Sequence, residues 1–116
     1  MLSFPPGIQV FMAVEAVDMR KSFDGLGGLV ESEFGGNLLD GHLFLFVNKR
    51  GDRLKALWWD RDGLVIWYKR LERGTFEVPS AADQTHVSLD ATELAMLLGG
   101  VSLSSVKRRK RFQRAS

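Results

Sequence analysis

Three apolar runs separated by short charged turns occupy the middle of the chain, GHLFLFVNKRGDRLKALWWDRDGLVIWYKRLERGTFEVP from Gly41 to Pro79. The separators, Asn48–Asp52 and Asp60–Gly63, both contain glycine. Runs of this length bounded by Gly, Asn and Asp predict an antiparallel meander with strands at roughly His42–Val47, Arg53–Trp59 and Leu64–Leu71. The Asp62-Gly63 pair signals a type I′ hairpin. Because side chains alternate across a sheet, one face is expected to carry Arg53, Lys55, Leu57 and Trp59 beside Leu64, Ile66, Tyr68 and Arg70. The opposite face carries Leu54, Ala56, Trp58 and Asp60 beside Val65, Trp67, Lys69 and Leu71. It is the greasier of the two and is expected to meet the core.

Upstream, Phe4–Gly7 (FPPG) cannot be helical, and Ile8–Val14 reads as a first strand. Asp18 is placed to cap a helix over Met19–Phe34, with Met19, Phe23, Leu26 and Val30 forming its apolar stripe. Gly25, Gly27 and Gly28 each weaken that helix by about 1 kcal/mol relative to Ala. Close approach of the glycines to the sheet would explain why they are tolerated. Downstream, Ser80–Gln84 is a polar linker and His86–Leu89 a short apolar run. Asp90-Ala-Thr-Glu93 has the form of a capping box opening a helix to about Leu98, ended by Gly99–Gly100. The fold class is α+β: a small antiparallel β-meander sheet with one helix packed on it, a short C-terminal helix and a basic tail. Residues 1–106 form one domain and residues 107–116 a flexible basic tail.

At 116 residues, 45% hydrophobic and 26% charged, the chain is sized for one modest core. No apolar run approaches the roughly 20 residues that cross a bilayer. The N-terminus lacks a leading basic cluster, so a cytoplasmic address is expected. With no cysteine, disulfides, thiolate metal sites and Cys nucleophiles are all excluded. The formal charge of +2 hides an asymmetry. Lys107, Arg108, Arg109, Lys110, Arg111 and Arg114 contribute +6, leaving ten basic against fourteen acidic residues and about −4 on the remainder. Attraction to phosphate must therefore come from local patches or the tail.

No residue pattern points to catalysis. His42 and His86 are isolated from one another in sequence, and the carboxylates sit at turns, caps or helix surfaces rather than as acid/base or metal pairs. The glycines at Gly25–Gly28 lie inside a helical pattern, not in a phosphate loop. No enzyme, cofactor, metal or small-molecule substrate is expected. Nucleic-acid contact is the alternative chemistry. Arg53, Lys55, Arg70 and Arg73 are suited to phosphates, while Trp59 or Tyr68 can stack on a base. The bland reading has Trp59 and Tyr68 packed under the first helix and the cations solvating a sheet rim. Lys107, Arg108, Arg109, Lys110 and Arg111 are suited to sequence-independent contact with DNA or RNA. Thr92–Lys107 resembles a helix-turn-helix, but the Gly99-Gly100 doublet adds a residue to the turn.

From Asp18 onward the chain resembles the accessory protein called TnpB, the second open-reading-frame product of insertion-sequence family sixty-six. The matching segments are DMRKSFDGL (Asp18–Leu26), GHLFLF (Gly41–Phe46), NKRGDRLKALWWDRDGLVIWYKRLERGTF (Asn48–Phe76) and LAMLLGG (Leu94–Gly100). Ser22 replaces a usual glycine, and Val78 a tryptophan often found before Pro79. The resemblance implies a non-enzymatic helper of DNA transposition, encoded beside a larger transposase, with no catalytic residues to carry over. The expected partners are DNA, at the element ends, and that transposase. Arg20 and Lys21 are candidate contacts to the transposase. Two other roles compete: an adaptor that docks the transposase without touching DNA, and a transcriptional regulator of the element. A membrane partner is not expected.

Overall fold

The computed structural model describes residues 7–79, 81 and 83–99. The cations from Lys107 to Arg114 and the second half of the helix-turn-helix resemblance lie outside the described residues. The strands are β1 (Val10–Ala13), β2 (Leu43–Val47), β3 (Arg53–Asp60), β4 (Gly63–Arg70) and β5 (His86–Leu89). Two helices, α1 (Phe23–Glu33) and α2 (Ala91–Leu98), and a 3-10 turn at Leu38–Asp40 complete it. The architecture is α+β, as the sequence implies.

The strands form a single sheet in the order β4-β3-β2-β1-β5. The expected meander is present as β2-β3-β4, and its register gives the expected face parity: Arg53 lies opposite Arg70, Lys55 opposite Tyr68 and Trp59 opposite Leu64. The sheet is nevertheless mixed. β1 runs parallel to β2, pairing Val10 with Leu43 and Met12 with Leu45, and antiparallel to β5. Adjacent parallel strands need a crossover connection, and the segment containing α1 supplies it.

The type I′ turn expected at Asp62-Gly63 does not form, and the loop lies one residue earlier. Asp60 pairs with Gly63, so the loop is Arg61–Asp62, and the left-handed backbone falls on Arg61 (φ 56°) rather than on glycine. The Asp62 N–H closes a tight bond to the Asp60 carbonyl across Arg61.

Both sheet faces are covered. On one, Met12, Leu43, Leu45, Val47, Leu54 and Ala56 are buried with Phe76 and Leu97 of α2. On the other, Phe44, Phe46 and Leu57 are buried against Leu26 and Val30 of α1. The first helix thus packs on the face with Lys55 and Tyr68, not on the greasier one. This is the helix placement of the alternative reading, in which the first helix covers the face of Trp59 and Tyr68, although Tyr68 stays 47% exposed.

The helix itself begins at Phe23, later than expected. Asp18 caps the turn before it, accepting from the Arg20 N–H at 2.8 Å, and Ser22 occupies the cap position with no side-chain bond. Leu26 and Val30 are buried but Phe23 is exposed. Two of the three glycines meet close neighbours: a Cβ at Gly25 would lie 3.1 Å from Lys21 Cβ, and one at Gly27 3.1 Å from Leu38 Cδ1 of the 3-10 turn. Neither neighbour belongs to the sheet. At the other end of the chain the capping box forms as read. Asp90 Oδ1 accepts from the Glu93 N–H at 2.7 Å, and the Asp90 N–H donates to Glu93 Oε1 at 3.0 Å.

Candidate nucleic-acid interface

The turn between β2 and β3 is built around Asn48. Its side-chain oxygen accepts from the Arg53 N–H at 3.0 Å, and its amide donates to Asp52 Oδ1 at 2.8 Å. The Gly51 N–H closes onto the Asn48 carbonyl at 3.0 Å, with Gly51 in the left-handed region at φ 80°. A side chain at Gly51 would also come within 3.1 Å of Thr75 Cβ. This contact arises because the segment after β4 folds back on the turn: Leu71 N–H donates to Asp52 O at 2.8 Å and Phe76 N–H to Gly51 O at 2.7 Å. With Phe76 buried in the core, the intervening Glu72–Thr75 stretch is exposed beside the turn.

A third segment reaches the same corner. Val17 N–H donates to Val47 O at 2.9 Å, placing Ala16–Met19 alongside the turn, and an open groove of about 420 Å³ lies between them. Lys55 secures this segment from beneath. Its Nζ donates to Met19 O at 2.8 Å and Lys21 O at 2.7 Å and sits 5.0 Å from the Tyr68 ring centroid.

The β2–β3 turn, the end of β4 and the approach to α1 therefore bring Arg20, Lys21, Lys49, Arg50, Arg53, Arg70 and Arg73 to one corner of the sheet. Local bonds take up the acids interspersed among them. Arg20 grips Asp18 with two side-chain nitrogens, at 3.0 and 2.7 Å to Oδ2, and holds its carboxyl down at about 2. The Asn48 amide lowers Asp52 below the usual carboxylate range, with Arg50 and Arg53 adding to the effect. Arg70 reaches Glu72 at 3.4 Å. Among the described residues, Lys21, Lys49, Arg50 and Arg73 are exposed and form no ion pair within 4.0 Å.

The candidate residues fare differently. Arg53 is half-buried and donates to the Tyr68 hydroxyl at 3.2 Å, and Tyr68 is 47% exposed. Arg70 and Arg73 are exposed. Lys55 is 8% exposed and engaged with two carbonyls, so its expected outward position is corrected: the ammonium faces the chain, not solvent. Trp59 is at the far end of β3 from Arg53, about 20 Å away at ~3.3 Å per residue. It does not share the corner. Lys49 and Arg50 of the turn are not among the candidates read from the sequence, although the density of cations in NKRGDR marks them.

The histidines lie elsewhere, in an aromatic cluster. His86 stacks on Phe34 at 4.9 Å and meets Phe11 edge-on at 5.7 Å, as His42 does at 5.9 Å. His42 Nδ1 accepts from the Gln9 N–H at 3.1 Å, which ties the ring to the strand approach. No cluster of three metal-ligating side chains occurs among the described residues. None of the described helices is long and apolar enough to cross a membrane.

Comparison with known proteins gives these observations a family context. The chain is 33% identical over 103 residues to uncharacterized protein y4jC of Sinorhizobium fredii, covering 89% of this chain and 87% of the relative. It is 36% identical over 101 residues to uncharacterized protein y4hO of the same organism, covering 87% of each. No solved structure matches it significantly. The family model described as IS66 Orf2 like protein matches residues 8–108, and the chain belongs to that family of accessory proteins of transposable elements.

Proposed function

We propose that this accessory protein assists transposition by contacting DNA phosphates through the basic corner formed by Lys49, Arg50, Arg53, Arg70 and Arg73. The observation that carries the reading is the set of exposed cations without ion-pair partners gathered there, on a body whose other regions are acidic. Tyr68, half-exposed beside Arg53, offers a ring to a sugar or base edge. Lys107, Arg108, Arg109, Lys110 and Arg111 add a second, sequence-independent attraction. Neither Lys55 nor Trp59 is required. The chain acts as a non-enzymatic partner of the element's transposase in the cytoplasm, helping it to find or hold the element ends.

A titration of fluorescent duplex DNA at two salt concentrations tests this. Five phosphate contacts imply a slope of about −4.5 in log affinity against log salt, roughly a five-hundredfold weakening between about 50 and 200 mM. Lys49→Ala and Arg50→Ala should each flatten the slope by about 0.9, and removal of residues 107–116 should flatten it separately. Salt-independent binding, or slopes indifferent to Lys49 and Arg50, would rule the corner out.

The partner-docking reading is favoured by one observation: the exposed Tyr68 and Arg70 flank the half-buried Arg53, an aromatic–arginine composition typical of protein hot spots. In that case Arg20 and Lys21 extend the contact. Transposase captured by the protein in the absence of DNA, and lost with Tyr68→Ala, supports it. A third role, in transcription, requires operator binding that disappears when residues after Leu98 are removed.

A further inference from the structure

β4 is the last strand of the sheet, and its outer side carries no strand among the described residues. The bond from Leu71 N–H to Asp52 O continues the β3–β4 ladder, so the backbone groups of Leu71 face β3. By alternation those of Val65, Trp67 and Lys69 also face β3, while those of Leu64, Ile66, Tyr68 and Arg70 point outward. An eight-residue extended edge of this kind is a template for another strand. The opposite edge, β5, has four residues.

We propose that β4 pairs with β4 of a second copy of this chain, antiparallel, about a two-fold axis at Ile66. Outward-facing positions must meet one another, and charge selects among the registers that allow it. With the axis at Ile66, Tyr68 lies opposite Leu64, and the exposed Arg70 lies level with the exposed Asp62 of the hairpin loop, one residue before the strand begins. With the axis one residue further on, Arg70 meets Leu64 and keeps only its intrachain contact to Glu72, with no partner across the seam. The two-fold makes the Arg70–Asp62 contact twice, so the edge is complementary to itself rather than to an arbitrary extended peptide. The pairing joins two five-stranded sheets into one and sends the two basic corners to opposite ends of the seam. It does not depend on what those corners bind.

Sedimentation equilibrium of the full chain across the micromolar range tests the proposal, using Asp62→Arg, Arg70→Asp and the double reversal. Each single change turns two attractive cross-strand contacts repulsive and should weaken dimerisation about tenfold. The double reversal should restore the parental dissociation constant. Both positions are exposed, and an aspartate at position 70 lies opposite Arg53, so the fold should survive; far-UV circular dichroism and thermal midpoints verify this. A chain that stays monomeric throughout overturns the proposal. So does a dimer indifferent to both single reversals, or a double reversal that fails to recover. If the edge instead serves the transposase, the chain alone is monomeric and the reversals change only transposase capture.

Discussion

Replacing Lys55 with methionine separates a phosphate contact from a structural bond. Methionine keeps most of the length and apolar stem but removes the ammonium, so the carbonyls of Met19 and Lys21 lose donors at 2.8 and 2.7 Å. Hydrogen bonds to a charged group contribute about 1.5–3 kcal/mol each, so the gross loss is roughly 3–6 kcal/mol. Two effects reduce it. The ammonium of a lysine only 8% exposed carries a desolvation cost of its own, which methionine relieves. Water can also reach part of the Met19–Lys21 segment, since Arg20 and Lys21 are exposed.

A net destabilisation of about 2 kcal/mol is expected, equivalent to about 8 °C in the thermal midpoint for a domain near 100 residues. Because the bonds run to backbone dipoles beneath a packed segment, the loss should persist at high salt, where exposed ion pairs are screened. The assay is urea unfolding at two ionic strengths, run beside the DNA titration below the unfolding transition. A Lys55→Met protein with an unchanged midpoint but a DNA salt slope flatter by about one unit would refute the assignment, since only a phosphate contact behaves so.

Other perturbations probe separate parts of the fold. Arg61→Gly should stabilise by about 0.5 kcal/mol, because the left-handed backbone at φ 56° costs an arginine more than the added chain entropy costs a glycine; a lower urea midpoint contradicts this. Asp90→Ala removes both bonds of the α2 capping box and should cost about 1 kcal/mol, read as a drop of about 4 °C in thermal midpoint. Asp18 has a folded value lowered from 3.8 to about 2, so its contribution is complete above 3.8 and lost as pH falls through about 2. The parent protein should therefore lose more stability than Asp18→Asn over that interval, and parallel acid limbs would contradict the pairing with Arg20. Asp52→Asn keeps an acceptor for the Asn48 amide while removing a negative charge beside Arg50 and Arg53, so DNA affinity should rise about twofold at low salt. No change in affinity would place the bound phosphates away from the turn.

Local rules predicted the elements whose causes are local. The face parity of β3 and β4 followed from a two-residue loop, and the cap of α2 from Asp90 and Glu93, three residues apart. What depended on distant partners was not legible. Nothing between residues 10 and 13 indicates parallel pairing with Leu43–Leu45, because that choice is made by the crossover. Lys55 alternates with apolar residues as a solvent-facing cation would, and its actual acceptors lie 36 and 34 residues earlier. Those same bonds engage the carbonyls of Met19 and Lys21 just before the first turn of α1. They hold in place the segment between Asp18 and the helix start at Phe23.

The placement of charge follows from the same long-range pairing. The cations of the corner come from three stretches, 20–21, 49–53 and 70–73, and each stretch brings an acid near in sequence: Asp18, Asp52 and Glu72. These stretches sum to +4, and the body is acidic because the eleven carboxylates elsewhere outnumber the other three cations. In the folded protein the acids are engaged within their own stretches, Asp18 by Arg20, Asp52 by Asn48 and Glu72 by Arg70. Lys21, Lys49, Arg50 and Arg73 are left facing outward. At physiological salt a charge is felt over about 8 Å, so an approaching polyanion responds to the corner nearest it rather than to a net charge dominated by distant carboxylates. Selective pairing of acids with some cations, and not with others, leaves an acidic body with a locally cationic corner, the feature on which the proposed phosphate contact rests.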